Sequence, residues 1–191
     1  ILITGCSAGI GLNLSQALLD DKHDVYGISR SNAPIKSSRF HQINADMYSS
    51  LDVKEVLKYI ADLNIHVLIN NVGVNYTRAP VLLVPYESAV KTIRINLLGT
   101  ILMSREAVKI MMKNSFGRII NFGSMAVKHE VNGEAIYTAS KAAIVSFSRV
   151  IAKEVYSYGV TCNVISPSAV NTDLMKNVNR DKLDEVLKRN A

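Results

Sequence analysis

Cysteine is scarce in this 191-residue chain: Cys6 and Cys162 stand far apart, with no CxxC spacing and no cluster of metal-ligand residues around either. That excludes a zinc site and any disulfide framework, and the two thiols read as small apolar fillers of core elements in a reducing compartment. Long apolar runs are missing as well. The longest, residues 81–84 and 97–103, fall far short of the roughly 18 residues that a membrane span needs. Lys and Arg outnumber Asp and Glu by 22 to 16, but the cations are scattered instead of clustered, so nucleic acid is not an expected partner. Proline is limited to four residues, and no Pro/Gly linker, low-complexity tract or fixed-period repeat divides the chain. No secretory leader is expected from the sequence, which begins inside a strand instead of with Met. The expectation is one domain over residues 1–191, located in the cytoplasm.

What is present is hydrophobic content of 48%, too high for a disordered chain and sufficient for one well-buried core. Short β-rich runs at residues 1–4, 24–29, 40–44, 66–70, 118–122 and 161–165 alternate with helical patterns at about 10–19, 51–63, 87–113 and 136–158. In the second helical pattern, Val56, Leu57, Ile60 and Leu63 mark a single face. The strand runs are nearly continuously apolar, which predicts strands buried on both faces. Alternation of this kind predicts an α/β fold: a three-layer, doubly wound parallel sheet with helices on both faces. A last helix is expected at residues 181–188.

The first strand runs straight into a glycine loop, Gly5, Ser7, Ala8, Gly9, Ile10 and Gly11. A βα turn exposes the free N–H groups and positive dipole end of the next helix, and glycines let the backbone touch a pyrophosphate. A loop of this kind also serves as a plain tight turn. Its spacing is G-x-x-x-G-x-G, not the commoner G-x-G-x-x-G. At the end of the second strand, where a carboxylate favours NAD, stand Ser29 and Arg30; a guanidinium there suits the 2′-phosphate of NADP, or is simply an exposed loop cation. Two stretches, Asp46-Met47 after the third strand and Asn70-Asn71-Val72-Gly73 after the fourth, read by themselves as ordinary turn chemistry at strand ends.

Downstream, "YTASK" places Tyr137 and Lys141 four residues apart on one helical face. Ser124 ends the "RIINFGS" strand at the carboxyl edge where open α/β sheets hold ligands. Asn96 is a poor helix former inside a helical pattern. A tyrosine able to give a proton, with an ammonium to favour its phenolate, suits carbonyl reduction, in which negative charge grows on oxygen as hydride arrives at carbon.

In this order and spacing, these motifs resemble the short-chain dehydrogenase/reductase family along essentially the whole chain, with the overall pattern nearest its 3-oxoacyl thioester reductase branch. The resemblance implies a catalytic set of Asn96, Ser124, Tyr137 and Lys141. It implies that Lys141 also holds the nicotinamide ribose and that the Asn96 carbonyl holds a water. It further implies cofactor contacts from Gly5, Ser7, Ala8, Gly9, Ile10, Gly11, Ser29, Arg30, Asp46, Met47, Asn71, Gly73, Tyr137, Lys141, Pro167, Val170 and Thr172. NADP(H) is expected over NAD(H), although Ala8 stands where NADP-preferring members often carry a basic residue. Val72 replaces the usual alanine and Ser168 the usual glycine. The expected function is hydride transfer between NADPH and a small carbonyl or alcohol, including a carrier-bound acyl chain, by a homodimer or homotetramer; a catalytically silent NADP-binding regulator is the alternative. Substrate choice is expected from residues 74–78, 125–134 and those after Thr172, with His129 an exposed loop histidine or a substrate contact. Family members usually continue with another helix and an edge strand, so a fragment or a truncated form is expected.

Overall fold

The computed structural model describes residues 1–168 and 170. Six strands, β1 (Leu2–Thr4), β2 (Val25–Ser29), β3 (Phe40–Asn44), β4 (Val67–Asn70), β5 (Gly117–Phe122) and β6 (Val160–Ile165), form one parallel sheet in the order β3-β2-β1-β4-β5-β6. The order reverses between β1 and β4, whose Thr4 and Asn70 lie in register. That switch point opens a crevice at the carboxyl ends of the strands. Every expected strand is present within one residue of its expected ends.

Three helical segments cover one face: α2 (Ser50–Ala61), α4 (Gly99–Lys113) and α6 (Ala135–Val155). Leu2, Ile28, Leu68 and Ile119 of the sheet pack there with Val56, Ile60, Met103, Met111 and Ile151. On the opposite face Ile3, Val25, Ile69 and Phe122 pack with Ile10, Leu14 and Leu18 of α1 (Gly9–Asp20). Two apolar layers sandwiching one sheet are the three-layer α/β architecture.

The expectation that all strands are buried on both faces holds for β1, β2 and β4 but not at the sheet edges. In β6 the odd positions Thr161, Asn163 and Ile165 are exposed while Val160 and Cys162 are buried, and β3 is only partly buried. Parallel strands at an edge lack a neighbour, and among the described residues β6 has helices over only one of its faces. The β2 to β3 crossover carries no helix. Residues 30–39 run as a segment of bends and a turn whose Ala33 packs on the α1 face, held by Gln42 Oε1 accepting from Ala33 N at 3.0 Å.

The long helical pattern over residues 87–113 is three pieces: α3 (Tyr86–Ile93), a wide π turn at Arg94–Leu98 and α4. Such a turn inserts an extra residue into the helical ladder and re-aims its side chains, and it is frequent at functional sites. A short α5 (Ala126–His129) precedes α6. Both cysteines are buried; burial raises the Cys6 thiol pKa and lifts Cys162 to about 11. Among the described residues no helix is long and apolar enough to cross a membrane.

Candidate active site

The glycine loop sits at the amino end of α1, over the switch point. Gly5 and Gly9 have φ of +75° and +55°, the left-handed region that favours glycine. At Gly11 a β-carbon would lie 2.1 Å from the Gly5 carbonyl oxygen, so the first turn of α1 lies directly on the loop. Ala8 gives that turn no side-chain cap, and no acidic residue occupies it. Its free amides therefore face the crevice with nothing of this side-chain set to accept from them, an arrangement that takes a phosphate. On this geometry the residues fit the pyrophosphate of a dinucleotide.

Thr4 and Asn71 hold the loop in that position. The Thr4 hydroxyl accepts from the backbone N–H of Asn71 and of Val72, each at 3.1 Å. Asn71 Nδ2 in turn donates to the carbonyls of Thr4 (3.0 Å) and Gly5 (3.1 Å). The Asn71 side chain, expected to meet the cofactor, is thus a strut between β4 and the loop. Its twin Asn70 is buried and donates to Ser104 Oγ (3.0 Å) and Asn121 Oδ1 (2.8 Å), and Asn121 Nδ2 donates to Ser148 Oγ at 2.8 Å. This polar seam across β4, β5, α4 and α6 was not expected. Its only trace in the sequence is an asparagine in each of two otherwise apolar strands.

At the far end of the crevice, Ser29 is buried and its hydroxyl is turned inward, donating to the Ser31 carbonyl at 2.7 Å and accepting from Gln42 Nε2 at 3.0 Å. Arg30 beside it is exposed. Asp46 accepts from Tyr48 N through Oδ1 (2.9 Å), and its own N–H donates to Asp52 Oδ2 (2.8 Å). The bond from the Asp46 N–H, with one from the Ser49 hydroxyl, holds the Asp52 carboxyl below its ordinary pKa. Met47 is buried, its methyl against Gly99.

Of the four residues expected to act together, Ser124, Tyr137 and Lys141 lie near one another, while Asn96 is joined to Val74 and Ser140. Ser124 follows β5, and its Oγ accepts from Ala126 N at 3.1 Å. The Tyr137 phenol is buried, which raises its pKa, while a hydrogen bond with the Ser124 side chain works the other way. Lys141 lies one turn along α6, its Nζ 5.9 Å from the Tyr137 ring centroid. Its ammonium donates to the Phe122 carbonyl at 2.8 Å, and a β-carbon at Gly73 would stand 3.2 Å from it. Burial lowers the Lys141 pKa to about 8. Of the nearby charges, Glu134 raises the Tyr137 pKa further and Arg78 lowers it.

Asn96, fully buried in the π turn, is engaged through its side chain: Oδ1 accepts from Val74 N (2.8 Å), and Nδ2 donates to Val74 O (2.9 Å) and Ser140 Oγ (3.1 Å). Its backbone carbonyl, expected to hold a water, accepts from Thr100 Oγ1 at 2.8 Å. Pro167 accepts from Met125 N through its carbonyl (3.1 Å), joining the segment after β6 to the one after β5, and Val170 is exposed. His129 is exposed at the end of α5. Thr172 and the helix expected at residues 181–188 lie outside the described residues.

A crevice at the carboxyl edge of a parallel sheet, walled by a glycine loop with free helix amides at one end and by a partly buried Ser124 with buried Tyr137 and Lys141 at the other, can hold a dinucleotide and a small reactant together. Comparisons with known proteins agree. The profile of the family described as short chain dehydrogenase matches residues 1–183. The 3-oxoacyl-[acyl-carrier-protein] reductase MabA of Mycobacterium tuberculosis is 30% identical over 193 residues, covering 100% of this chain and 75% of that protein. A short chain dehydrogenase of Leptospira borgpetersenii, solved with bound NAD+, superimposes with a TM-score of 0.81 at 27% identity, over 88% of this chain and 70% of that one. A serine dehydrogenase complexed with NADP+ shares the fold, with a TM-score of 0.86 at 22% identity over 98% of this chain and 82% of that one. With the glycine loop, the Asn-Asn-x-Gly turn and the Ser, Tyr and Lys cluster in one crevice and a profile match along nearly its whole length, the chain belongs to the short-chain dehydrogenase family of oxidoreductases.

Proposed function

We propose that this protein reduces the carbonyl of a small substrate with NADPH, and that Tyr137 is the proton donor. The observation that carries the reading is the buried Tyr137 phenol in hydrogen-bonding reach of Ser124, on the helix that also brings Lys141 to the end of β5. The bound dinucleotide supplies the hydride. The chain's own residues do the rest. Burial keeps the phenol protonated at neutral pH, the form able to give a proton to a carbonyl oxygen as charge grows there. The Ser124 hydroxyl donates to the same oxygen and fixes its position. Lys141 holds the nicotinamide ribose and restores the proton through its ammonium. Asn96, through Val74, sets the backbone next to Gly73 and so the space in front of Lys141.

Gly5, Gly9 and Gly11 with the first-turn amides of α1 would seat the pyrophosphate, and Asp46 with Met47 would border the adenine. Exposed Arg30 supports NADPH over NADH, because its guanidinium can take a 2′-phosphate in bidentate fashion. A 3-oxoacyl thioester is the substrate this reading favours, on the likeness to MabA, whose name states that chemistry. Self-association in a cytoplasmic setting belongs to the same reading, with exposed Leu98 and Val150 as apolar contact points. The test is NADPH oxidation with a panel of ketones and 3-oxoacyl thioesters, by the parent and by Tyr137→Phe. Turnover should fall by roughly 10²-fold or more in the variant with NADPH binding retained; equal turnover, or none on any substrate, overturns it.

A further inference from the structure

Two charged side chains that this chemistry leaves unused stand beside Tyr137. Glu134 lies immediately before α6, three residues ahead of Tyr137, and Arg78 lies in the segment after β4. Arg78 Nε is 2.9 Å from Glu134 Oε1, with the side chains only 23% and 14% exposed. Asn75 Nδ2 donates to the same oxygen at 3.3 Å. The backbones meet there as well: a β-carbon at Gly133 would lie 3.4 Å from Ala79 N and 3.6 Å from the Arg78 carbonyl carbon. One carboxylate therefore closes residues 75–79 against residues 133–134, the two walls of the opening in front of the phenol.

We propose that Arg78 and Glu134 are positioning residues for Tyr137: their ion pair clasps the segment after β4 to the start of α6 and places a charge-balanced couple beside the phenol. The inference rests on the reading of Tyr137 as proton donor. The two charges act on the phenol in opposite directions, Glu134 strengthening its hold on the proton and Arg78 weakening it. Among the described residues, Ser124 after β5 and Lys141 on α6 also lie against it. Charges on the neighbouring elements are engaged elsewhere or exposed. Lys91 of α3 and Arg94 of the π turn lie over the Tyr48 ring, Glu106 of α4 pairs with Arg105 and Lys109, and Lys128, His129 and Glu130 around α5 are exposed. With both partners present their effects on the phenol oppose each other; removing one takes away its own effect and leaves the other's.

The test is the pH profile of kcat/KM for alcohol oxidation, which needs the phenolate and so reports its ionisation in the free enzyme. Full-length parent, Glu134→Gln, Arg78→Met, the double variant and Arg78→Lys are compared, with thermal melts on each. Arg78→Met should move the acid limb to higher pH and Glu134→Gln to lower pH, each by roughly half a unit or more. The double variant and Arg78→Lys should return to the parental limb. If Arg78→Met does not fold, Glu134→Gln decides alone, because it keeps the shape of the clasp and the contact with Asn75. Single variants whose limbs stay in place, or move in the same direction, while turnover remains dependent on Tyr137 overturn the inference; turnover that survives Tyr137→Phe overturns the reading beneath it instead.

Discussion

Asn96 grips Val74 by both ends of its amide, accepting from the Val74 N–H at 2.8 Å and donating to the Val74 carbonyl at 2.9 Å. A side chain that pairs with both the N–H and the C=O of one residue in this way takes the place of a neighbouring strand there. The π turn at Arg94–Leu98 is what aims it there.

Removing that grip leaves two backbone groups of Val74 without partners in a largely enclosed place. Asn96→Ala should cost about 2 kcal/mol or more in urea unfolding. Turnover should fall with it, because the released segment carries Gly73 against Lys141. Asn96→Asp keeps the acceptor for Val74 N–H and loses both donors, so it should fall between the two. Parental stability in Asn96→Ala would show that the grip contributes nothing to the fold.

Lys141 carries a testable stability cost. Its pKa falls from 10.5 in the unfolded chain to about 8 in the fold, because burial penalises the ammonium. Between those values the unfolded chain binds more protons, so stability should rise as pH rises from about 8 to 10.5. The penalty is fully present below that window and is on the order of 3 kcal/mol. Lys141→Met removes it but leaves the Phe122 carbonyl without its donor, an opposing loss of about 1 kcal/mol. The variant should therefore be inactive yet more stable than the parent at pH 7, with the gain gone near pH 10.5. Chemical unfolding at both pH values checks this; a less stable variant at pH 7 would contradict it.

Arg30 should set the choice of dinucleotide. In Arg30→Ala, KM for NADPH should rise by roughly 10-fold or more while KM for NADH changes little, the size expected for loss of a charge-assisted contact to phosphate. Steady-state kinetics with both reductants, repeated at raised salt, measures it. An unchanged ratio would place Arg30 among ordinary surface cations.

Much of this was legible without coordinates because the signals are local. Alternating apolar runs and helical periods need only near neighbours, so all six strands and the main helices fall where the pattern puts them. Gly5, Gly9 and Gly11 announce a bare turn, and Tyr137 with Lys141 share a helix face by spacing alone. The π turn that divides the helical pattern at 87–113 and the half-exposed edges of the sheet were not legible. Both depend on what packs against them from elsewhere in the chain.

Residue types and their order, then, determined the parallel αβ order, the strand positions and the identity of the groups that gather at the carboxyl edge. Only the tertiary structure decided what each of those groups does there. Asn71 is spent on Thr4 and Gly5, Ser29 is turned into the interior, Asn96 is engaged by Val74, and Glu134 meets Arg78 across two loops. The physical reason is that a buried hydrogen-bonding group must take its partner from whatever the fold brings within about 3 Å, and for Asn71, Asn96 and Glu134 that partner is distant in the chain.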